Sequence, residues 1–213
     1  LYLETVESQL IQAGYQVTPI IIPAGETSKS LDQAMALYSQ LAAANFTRHD
    51  GVIALGGGVV GDLAGFIAST YMRGIAFIQM PTSLLAQVDS SVGGKTALDL
   101  PAGKNLVGSF YQPDLVLIDP DFLTSLDQRQ LLAGYAEIVK VAALNGGTFW
   151  QQVTGIQSAH MILAQAETLI QQSVHYKAQI VMADEKESNQ RQLLNYGHTI
   201  GHAVETLANG SLM

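Results

Sequence analysis

The stretch that decides the fold is GVIALGGGVVG, from Gly51 to Gly61. Its first five residues form a short apolar run that predicts a buried strand, and the glycines that follow predict a tight turn. Gly56, Gly58 and Gly61 match the pattern G-x-G-x-x-G, and a helical pattern runs on from Val59 to about Thr70. This order of strand, glycine turn and helix is typical of a dinucleotide site, because backbone N–H groups at a helix N-terminus attract pyrophosphate.

The usual dinucleotide fingerprint also has an acidic residue about 20 positions further on, which holds the ribose. In this chain residues 75–79 read IAFIQ and contain no acid. Two interpretations therefore stay open from the motif alone. The turn is either a dinucleotide site of an unusual kind or only a tight turn.

Further strands are predicted on both sides of this turn, and they alternate with helices. The strands are Val17–Ile22, Ile75–Met80 and Leu115–Ile118, and Ser30 is expected to cap a helix that ends near Asn45. Such alternation predicts parallel pairing in a doubly wound, Rossmann-like α/β sheet.

The pattern becomes helical in the second half of the chain. Helices are predicted over Gln130–Leu144, Ala159 to about Ala183, and Leu193–Leu207. We therefore predict an NAD-binding α/β domain over residues 1–127 and an all-α metal and substrate domain over residues 128–213. The chain starts at Leu1 and stops in a loop-like segment, so both domains are expected to be incomplete.

The composition excludes several classes of protein. Residues are 48% hydrophobic and only 13% charged, which excludes an intrinsically disordered chain. The net charge of −8 argues against nucleic acid or an anionic membrane as a partner. Because there is no cysteine, disulfides and thiolate metal sites are excluded as well.

Three lysines are candidates for anion binding. Lys95 and Lys104 lie in glycine-containing segments, GGKT and GKN, although Asp89 occupies the first glycine position of a P-loop and excludes that motif. Lys177 lies on an otherwise apolar helical stripe, where a buried lysine needs an anionic partner. Solvated loop lysines and a snorkelling Lys177 remain the alternatives. The stripe consists of Leu163, Ala166, Ile170, Val174, Lys177 and Val181.

A metal site is the second candidate. Asn195, His198 and His202 share one helical face, and the i, i+4 spacing of the two histidines allows both imidazoles to face one ion. Glu137 is a candidate for the carboxylate ligand. Nitrogen and oxygen ligands suit zinc or another divalent ion. Two core histidines without a metal are the alternative.

Several long segments together resemble the 3-dehydroquinate synthase family, part of the sugar-phosphate cyclase group. The resemblance runs from about Pro23 to the end of the chain. The matching segments are Gly56–Phe66, Tyr71–Gly74, Pro81–Thr96, Gly103–Asn105, Gly134–Lys140 and Leu194–Glu205.

This resemblance implies an enzyme that depends on NAD and a divalent metal, zinc or cobalt. It implies conversion of 3-deoxy-arabino-heptulosonate 7-phosphate to 3-dehydroquinate and phosphate in the shikimate pathway of aromatic amino acid biosynthesis. The implied steps are oxidation of the ring C5 hydroxyl, elimination of phosphate, re-reduction, ring opening and aldol closure. We expect a cytoplasmic homodimer that acts on a small-molecule sugar-acid phosphate.

The resemblance also implies roles for individual residues. Glu137 and His198 are implied as metal ligands, with a third histidine expected beyond Met213, and His202 is implied to face the substrate. Arg73 is implied to cross the homodimer interface into the partner's cleft. The implied sugar-phosphate contacts are Asp89, Lys95, Asn105, Lys140, Lys177, Arg191 and Asn195. The implied NAD contacts are Glu26 and Lys29 at the adenosine ribose, Gly58, Val59, Val60, Gly61 and Asp62 at the pyrophosphate, and Thr82, Ser83, Lys95, Lys104, Phe122, Leu123, Thr124 and Ser125.

Two rival functions remain. One is another sugar-phosphate cyclase, such as a 2-deoxy-scyllo-inosose synthase, and the other is a metal-dependent polyol dehydrogenase. Lys177 and Arg191 offer two cations to a substrate carboxylate, which glucose 6-phosphate lacks. The long segment from Lys95 to Asn105 argues against the dehydrogenase. The function implied by the 3-dehydroquinate synthase resemblance is therefore favoured over both rivals.

Overall fold

A computed structural model describes residues 1–197 and residue 201 of the chain. Between the regular elements lie 3₁₀ turns at Glu26–Ser28, Tyr71–Arg73, Pro120–Ser125 and Gln190–Asn195, and a short π-helix at Ala86–Ser90. The described helices and strands are α1 (Leu3–Gln12), α2 (Leu31–Ala43), β1 (Gly51–Gly56), α3 (Gly58–Thr70), β2 (Ala76–Pro81), β3 (Lys95–Leu100), β4 (Gly103–Phe110), β5 (Leu115–Val116), α4 (Gln128–Asn145), α5 (Gly147–Thr154), α6 (Ala159–Ala164) and α7 (Ala166–Ala183).

The first half contains the predicted parallel sheet. Three strands lie in the order β1-β2-β5, and both pairings are parallel, with Gly51 opposite Ala76 and Ile78 opposite Leu115. The helix α2 begins as predicted, because the side chain of Ser30 accepts a hydrogen bond from Gln33 N at 3.2 Å. The Rossmann-like α/β prediction is confirmed.

An antiparallel hairpin, β3–β4, lies beside this sheet and was not predicted. Lys95 pairs with Phe110 and Leu100 with Gly103. A Cβ at Gly65 of α3 would lie 3.0 Å from the Phe77 ring and would also meet Thr96. The helix α3 therefore packs between β2 and β3, and the glycine-containing segments that we interpreted as loops are the ends of strands.

The predicted strand over Val17–Ile22 is wrong. Residues 15–23 form no regular element, since β1 and β5 are the edge strands of the sheet and neither pairs with this segment. Ile20 and Ile22 nevertheless pack against the core between α2 and α3, while Ile21 is 80% exposed. Buried and exposed side chains alternate in this segment as they do in a strand, but the segment lacks the ladder of hydrogen bonds that a strand requires.

The helical half differs from prediction at two places. The long helix expected over residues 159–183 is two helices, α6 and α7, separated at Gln165, whose side chain accepts a hydrogen bond from Gln152 Nε2 of α5 at 2.9 Å. Residues 193–195 belong to a 3₁₀ turn rather than to the predicted helix Leu193–Leu207. Apart from Tyr196, Gly197 and Gly201, the rest of that helix lies outside the described residues.

One core joins the helices to the segment after β2. Leu84, Val88 and Leu123 are buried together with Ile138 of α4 and with residues of α5, α6 and α7. A Cβ at Gly134 would come within 2.5 Å of Leu85 N and 2.6 Å of Leu84 Cβ, so only glycine allows this approach. The boundary at residue 127 stays a prediction. No described helix is long and apolar enough to cross a membrane.

Candidate active site

A cavity of about 670 Å³ lies where the hairpin meets the helical half. It is formed by side chains from the π-helix, β3, β4, α4, α7 and the 3₁₀ turn at Gln190–Asn195. All seven residues that the resemblance implies as sugar-phosphate contacts line it: Asp89, Lys95, Asn105, Lys140, Lys177, Arg191 and Asn195. The structure therefore brings together side chains that are spread over more than 100 positions of sequence.

The cavity has a strongly cationic lining in an acidic chain. Four of the chain's ten Lys and Arg residues lie there, together with the carboxylates of Asp62 and Asp89. Cations that share one concave surface raise the local concentration of anions. Such a cavity is suited to a small anion with several charged groups.

Lys177 reaches the cavity from the apolar stripe of α7, and its side chain is 8% exposed. Its ammonium lies 2.7 Å from Asp89 Oδ1 and donates to the Asp89 carbonyl oxygen at 2.5 Å. Burial lowers the pKa of Lys177, and the nearby cations Arg191 and Lys140 act in the same direction, whereas Asp89 opposes them. The stripe thus places a buried ammonium beside a carboxylate that belongs to the π-helix.

A short loop after α7 places Arg191 in the cavity lining. The carboxylate of Asp184 accepts hydrogen bonds from Ser188 N at 2.9 Å, Asn189 N at 2.7 Å and Arg191 N at 3.0 Å. These bonds lower the pKa of Asp184 from 3.8 to about 2, the bond from Arg191 N having the largest effect. Arg191 Nη2 then donates to the Gly93 carbonyl oxygen at 2.8 Å, and its guanidinium lies 5.7 Å from the centre of the Phe110 ring.

Glu187 is a residue of this site that the sequence reasoning missed. Its carboxylate is paired with Lys95 and accepts a hydrogen bond from Asn195 Nδ2, both implied substrate contacts. Burial opposes the charged form, but these two bonds together with the charges of Lys95 and Arg191 outweigh it and lower the pKa of Glu187. The only signal in the sequence is the charged run DEKE at residues 184–187, which an exposed turn explains equally well.

A second ionic group adjoins the cavity around Lys29, whose partners Asp62 and Asn105 line it. Its ammonium contacts Asp62 Oδ2 at 2.8 Å, Glu26 Oε1 at 3.2 Å and Asn105 Oδ1 at 2.5 Å. Burial works against the ammonium, but the carboxylates of Asp62 and Glu26 outweigh it, so the pKa of Lys29 is raised. Two implied cofactor residues and one implied substrate residue are therefore bonded to one lysine.

The glycine turn leads into α3 next to these residues. No side chain caps the start of α3, so the first backbone N–H groups of this helix point out of it without an intrahelical partner. A Cβ at Gly58 would lie 3.1 Å from Ser90 Oγ, and one at Gly57 would lie 3.4 Å from Ser83 Oγ. Backbone donors, two hydroxyls and little room for a side chain at the turn fit the pyrophosphate of a dinucleotide.

Other residues with implied roles lie away from this cavity lining. Arg73 is exposed on the 3₁₀ turn after α3, and Lys104 is exposed on β4. Phe122 and Leu123 are buried, whereas Thr124 and Ser125 are exposed in a 3₁₀ turn. Tyr2 Oη is 2.6 Å from Ser125 Oγ, and the Tyr2 ring lies 4.3 Å from the Phe122 ring, so this turn contacts the start of α1. Thr82 N donates to the Gly56 carbonyl oxygen at 2.9 Å, which places Thr82 beside the glycine turn.

The metal ligands are described only in part. Glu137 lies on α4 and is paired with Lys140 one helical turn further on. His198 and His202 lie outside the described residues. Within residues 1–197 and 201 no group of three His, Cys, Asp or Glu side chains is placed to hold an ion.

In this structure a strand of a parallel sheet is followed by a glycine turn and a helix, and a cavity lined by cations lies beside them. This arrangement defines the class of α/β proteins that bind anionic small molecules. Comparison with known families narrows this class. The 3-dehydroquinate synthase N-terminal family matches residues 19–133, and the 3-dehydroquinate synthase C-terminal family matches residues 134–213. The chain belongs to the 3-dehydroquinate synthase family.

A curated relative agrees with this assignment. The chain is 69% identical over 212 residues to the 3-dehydroquinate synthase of Latilactobacillus sakei subsp. sakei (strain 23K); the match covers 100% of this chain and 60% of that protein. The chain thus spans about 60% of the length of this curated relative.

Two solved structures share the fold. A 2-deoxy-scyllo-inosose synthase complexed with carbaglucose-6-phosphate, NAD⁺ and Co²⁺ is 31% identical with a TM-score of 0.89, over 99% of this chain and 58% of that chain. The 2-epi-5-epi-valiolone synthase of Streptomyces hygroscopicus subsp. jinggangensis 5008, with NAD⁺ and Zn²⁺ bound, is 28% identical with a TM-score of 0.83, over 100% and 60%.

The hydrogen bonds around Asp184 predict an acid-dependent stability. The folded pKa lies below the unfolded value of 3.8, so the stabilisation is present above that pH and is lost as the pH falls towards about 2. Asp184→Ala should therefore lower the melting temperature at pH 7, and the difference from the parent protein should close between pH 4 and about pH 2. Thermal denaturation followed by circular dichroism measures this. Glu4→Ala, which removes an exposed carboxylate of α1, is the control, and a difference that stays constant down to pH 2 would contradict the prediction.

Proposed function

We propose that the full-length protein containing this chain is a 3-dehydroquinate synthase. It converts 3-deoxy-arabino-heptulosonate 7-phosphate to 3-dehydroquinate and phosphate. The observation that carries the proposal is the convergence of seven implied sugar-phosphate contacts on one cationic cavity. The identity of 69% with a curated 3-dehydroquinate synthase supports the same reaction.

The cavity's charges suit a substrate that carries both a phosphate and a carboxylate. Lys95, Lys140, Lys177 and Arg191 are the cations, and a guanidinium binds a carboxylate or phosphate with paired hydrogen bonds. A phosphate at one end of a small ring and a carboxylate at the other would be bound by different side chains. Binding at both ends would fix the orientation of the ring in the cavity. A sugar phosphate without a carboxylate has one anionic group fewer to bind to these cations, which disfavours the rival cyclase.

The pair Lys177–Asp89 is the candidate for proton transfer. Lys177 Nζ and Asp89 Oδ1 lie within hydrogen-bonding distance, and burial lowers the pKa of Lys177, so the ammonium gives up its proton more readily than a solvated lysine does. Lys177 would thus hold or release a proton at a substrate hydroxyl, while Asp89 keeps the ammonium in place. Lys140 and Arg191 favour the neutral form of Lys177 and tune the same equilibrium.

NAD, when bound over the glycine turn, supplies a transient hydride acceptor, so the net reaction involves no redox change. The residues that would hold its pyrophosphate are Gly58–Asp62, with Thr82 and Ser83 next to the turn. Glu137 would contribute one carboxylate oxygen to a zinc or cobalt ion, with His198 as a further ligand and His202 towards the substrate. Of these ligands, Glu137 lies among the described residues, on α4.

Turnover of the full-length protein tests the proposed function. With 3-deoxy-arabino-heptulosonate 7-phosphate and NAD in less than stoichiometric amount, phosphate should accumulate well beyond the amount of NAD, without net NADH. Phosphate is measured colorimetrically, and NADH is measured by its absorbance. Turnover of glucose 6-phosphate instead would favour the rival cyclase, and stoichiometric NADH would favour a polyol dehydrogenase.

The glycine turn gives a direct test of the cofactor site. In the full-length protein, Gly58→Val should weaken NAD binding by at least about tenfold, equivalent to about 1.4 kcal/mol, because the side chain blocks the backbone N–H groups and meets Ser90 Oγ. Isothermal titration with NAD measures the affinity. Ala133→Val, on an exposed position of α4, is the control for added bulk. Unchanged affinity in Gly58→Val would show that NAD binds elsewhere.

We also propose a homodimer in which Arg73 reaches the partner's cleft. Arg73 is exposed, and both Met72 and Arg73 have left-handed backbones, with φ of 51° and 70°, a strained geometry that is retained where a side chain must be aimed. The low fraction of charged residues, 13%, supports a surface that is partly covered by another chain. We place this dimer in the cytoplasm, where cell fractionation should find it.

Sedimentation of the full-length protein tests the dimer. We expect the mass of two chains at micromolar concentration, and we expect Arg73→Ala to lower turnover while leaving the mass unchanged, since the arginine serves the partner's cleft. Arg48→Ala, which removes another exposed arginine, is the control. A monomeric mass for the active protein would contradict the proposal.

A further inference from the structure

Gln87 is a buried polar residue to which the resemblance assigns no role. It lies in the π-helix at Ala86–Ser90 and is fully buried. Leu84 and Val88, on either side of it in the sequence, belong to the apolar core of the helical half. Burying an amide costs free energy unless the amide is hydrogen-bonded, and an apolar residue would fill the same space without that cost. The hydrogen bonds of Gln87 therefore account for its presence.

The side-chain amide of Gln87 binds two segments of backbone. Gln87 Nε2 donates to the carbonyl oxygen of Pro81 at 3.1 Å and to that of Asp119 at 2.8 Å. Both partners can only accept hydrogen bonds, so the amide nitrogen and not the amide oxygen faces them. Both N–H groups of the side chain thus hold Pro81, the last residue of β2, next to Asp119, which caps the 3₁₀ turn Pro120–Ser125.

These two carbonyl groups lie where two neighbouring strands end. Backbone pairing between β2 and the segment of β5 extends to Leu117 N, which donates to the Gln79 carbonyl oxygen at 2.8 Å. Pro81 and Asp119 lie two residues further along these segments, and Gln87 joins them there through its side chain. Because ligands of open α/β sheets bind at the carboxyl ends of the strands, Gln87 bridges the sheet at the edge where a ligand is expected.

The same π-helix carries two residues of the cavity lining, Asp89 and Ser90. Asp89 follows Gln87 by two residues, and its Oδ1 lies 2.7 Å from Lys177 Nζ. Such π-helical turns are rare and occur frequently at functional sites. A side chain that fixes this single turn against the sheet therefore also fixes the side from which Asp89 meets Lys177.

We propose that Gln87 is a positioning residue that fixes the π-helix against the carboxyl edge of the sheet and so holds Asp89 in contact with Lys177. It acts on the substrate only through Asp89, since its own side chain is fully buried. The inference rests on the proposed function in one respect, because its kinetic consequence requires Lys177 and Asp89 to take part in proton transfer.

Kinetics of the full-length protein separate this role from a purely structural one. Gln87→Met removes both donors and keeps the length of the side chain. With NAD and 3-deoxy-arabino-heptulosonate 7-phosphate at saturation, kcat should fall by at least about tenfold, because a displaced Lys177–Asp89 pair transfers protons less well. The KM for this substrate should stay within about threefold of the parent value, because the remaining cations of the cavity lie on other elements. A smaller fall in kcat, or a KM raised beyond this limit, would overturn the proposal.

Two variants control for effects elsewhere in the protein. Ile162→Ala opens a cavity in the same core, on α6, so the melting temperature should fall while kcat, measured below that temperature, stays unchanged. Gln40→Met, at an exposed position of α2, should change neither. A kcat that falls as far in Ile162→Ala as in Gln87→Met would show lost stability as the cause and would overturn the proposal. If Gln87→Met does not fold, Gln87→Asn is measured against the same limits, since its shorter side chain keeps both donors but cannot reach both carbonyl groups.

Crystal structures of the full-length parent and Gln87→Met proteins test the inference without turnover. We expect Asp89 Oδ1 and Lys177 Nζ to lie within hydrogen-bonding distance in the parent and more than about 3.2 Å apart in the variant. A pair that keeps its distance in the variant would overturn the proposal. A pair that separates, in a protein whose parent releases no phosphate, would leave the positioning role in place and overturn only the proposed function.

Discussion

The pairing of the buried Lys177 ammonium with Asp89 is the interaction on which the rest of the site depends. Burying an unpaired ammonium costs several kcal/mol, so α7 can place Lys177 inside only if a carboxylate meets it there. That carboxylate comes from the π-helix at Ala86–Ser90, and Val88 of this π-helix and the preceding Leu84 belong to the core of the helical half. The same contact therefore fixes the helices onto the α/β part and places a cation in the cavity.

The other cations in and beside the cavity follow the same constraint, because each needs a carboxylate partner that the fold must place nearby. Lys29 is compensated by Asp62, Lys95 by Glu187 and Lys140 by Glu137. These internal pairs keep like charges apart when no anion fills the cavity. The anionic substrate that we propose would have to compete with Glu187 for Lys95 and Asn195, so its binding would be linked to a rearrangement of these side chains.

Much of the fold could be predicted because it is encoded locally. The strand β1, the glycine turn and α3 form one continuous signal, and Ser30 caps α2 through its own hydroxyl. The hairpin β3–β4 could not be predicted, since its glycines are typical of loops and nothing in the sequence shows that α3 packs against β3. The opposite error occurred at Val17–Ile22, where a strand was predicted and none is formed. Residues with high β-propensity form a strand only where another strand offers hydrogen bonds.

The candidate site was predicted in part for the same physical reason. Periodicity alone places Lys177 on an apolar face, and burial cost then demands an anion, but nothing local identifies that anion as Asp89, which lies 88 residues earlier. The implied roles came from the resemblance, which names residues without their mutual contacts. Lys29 illustrates the difference: its three partners come from the turn before it, from α3 and from β4, and only the folded arrangement brings them together. The contacts of a residue in such a site thus depend on segments that are far apart in the sequence, and no single segment predicts them.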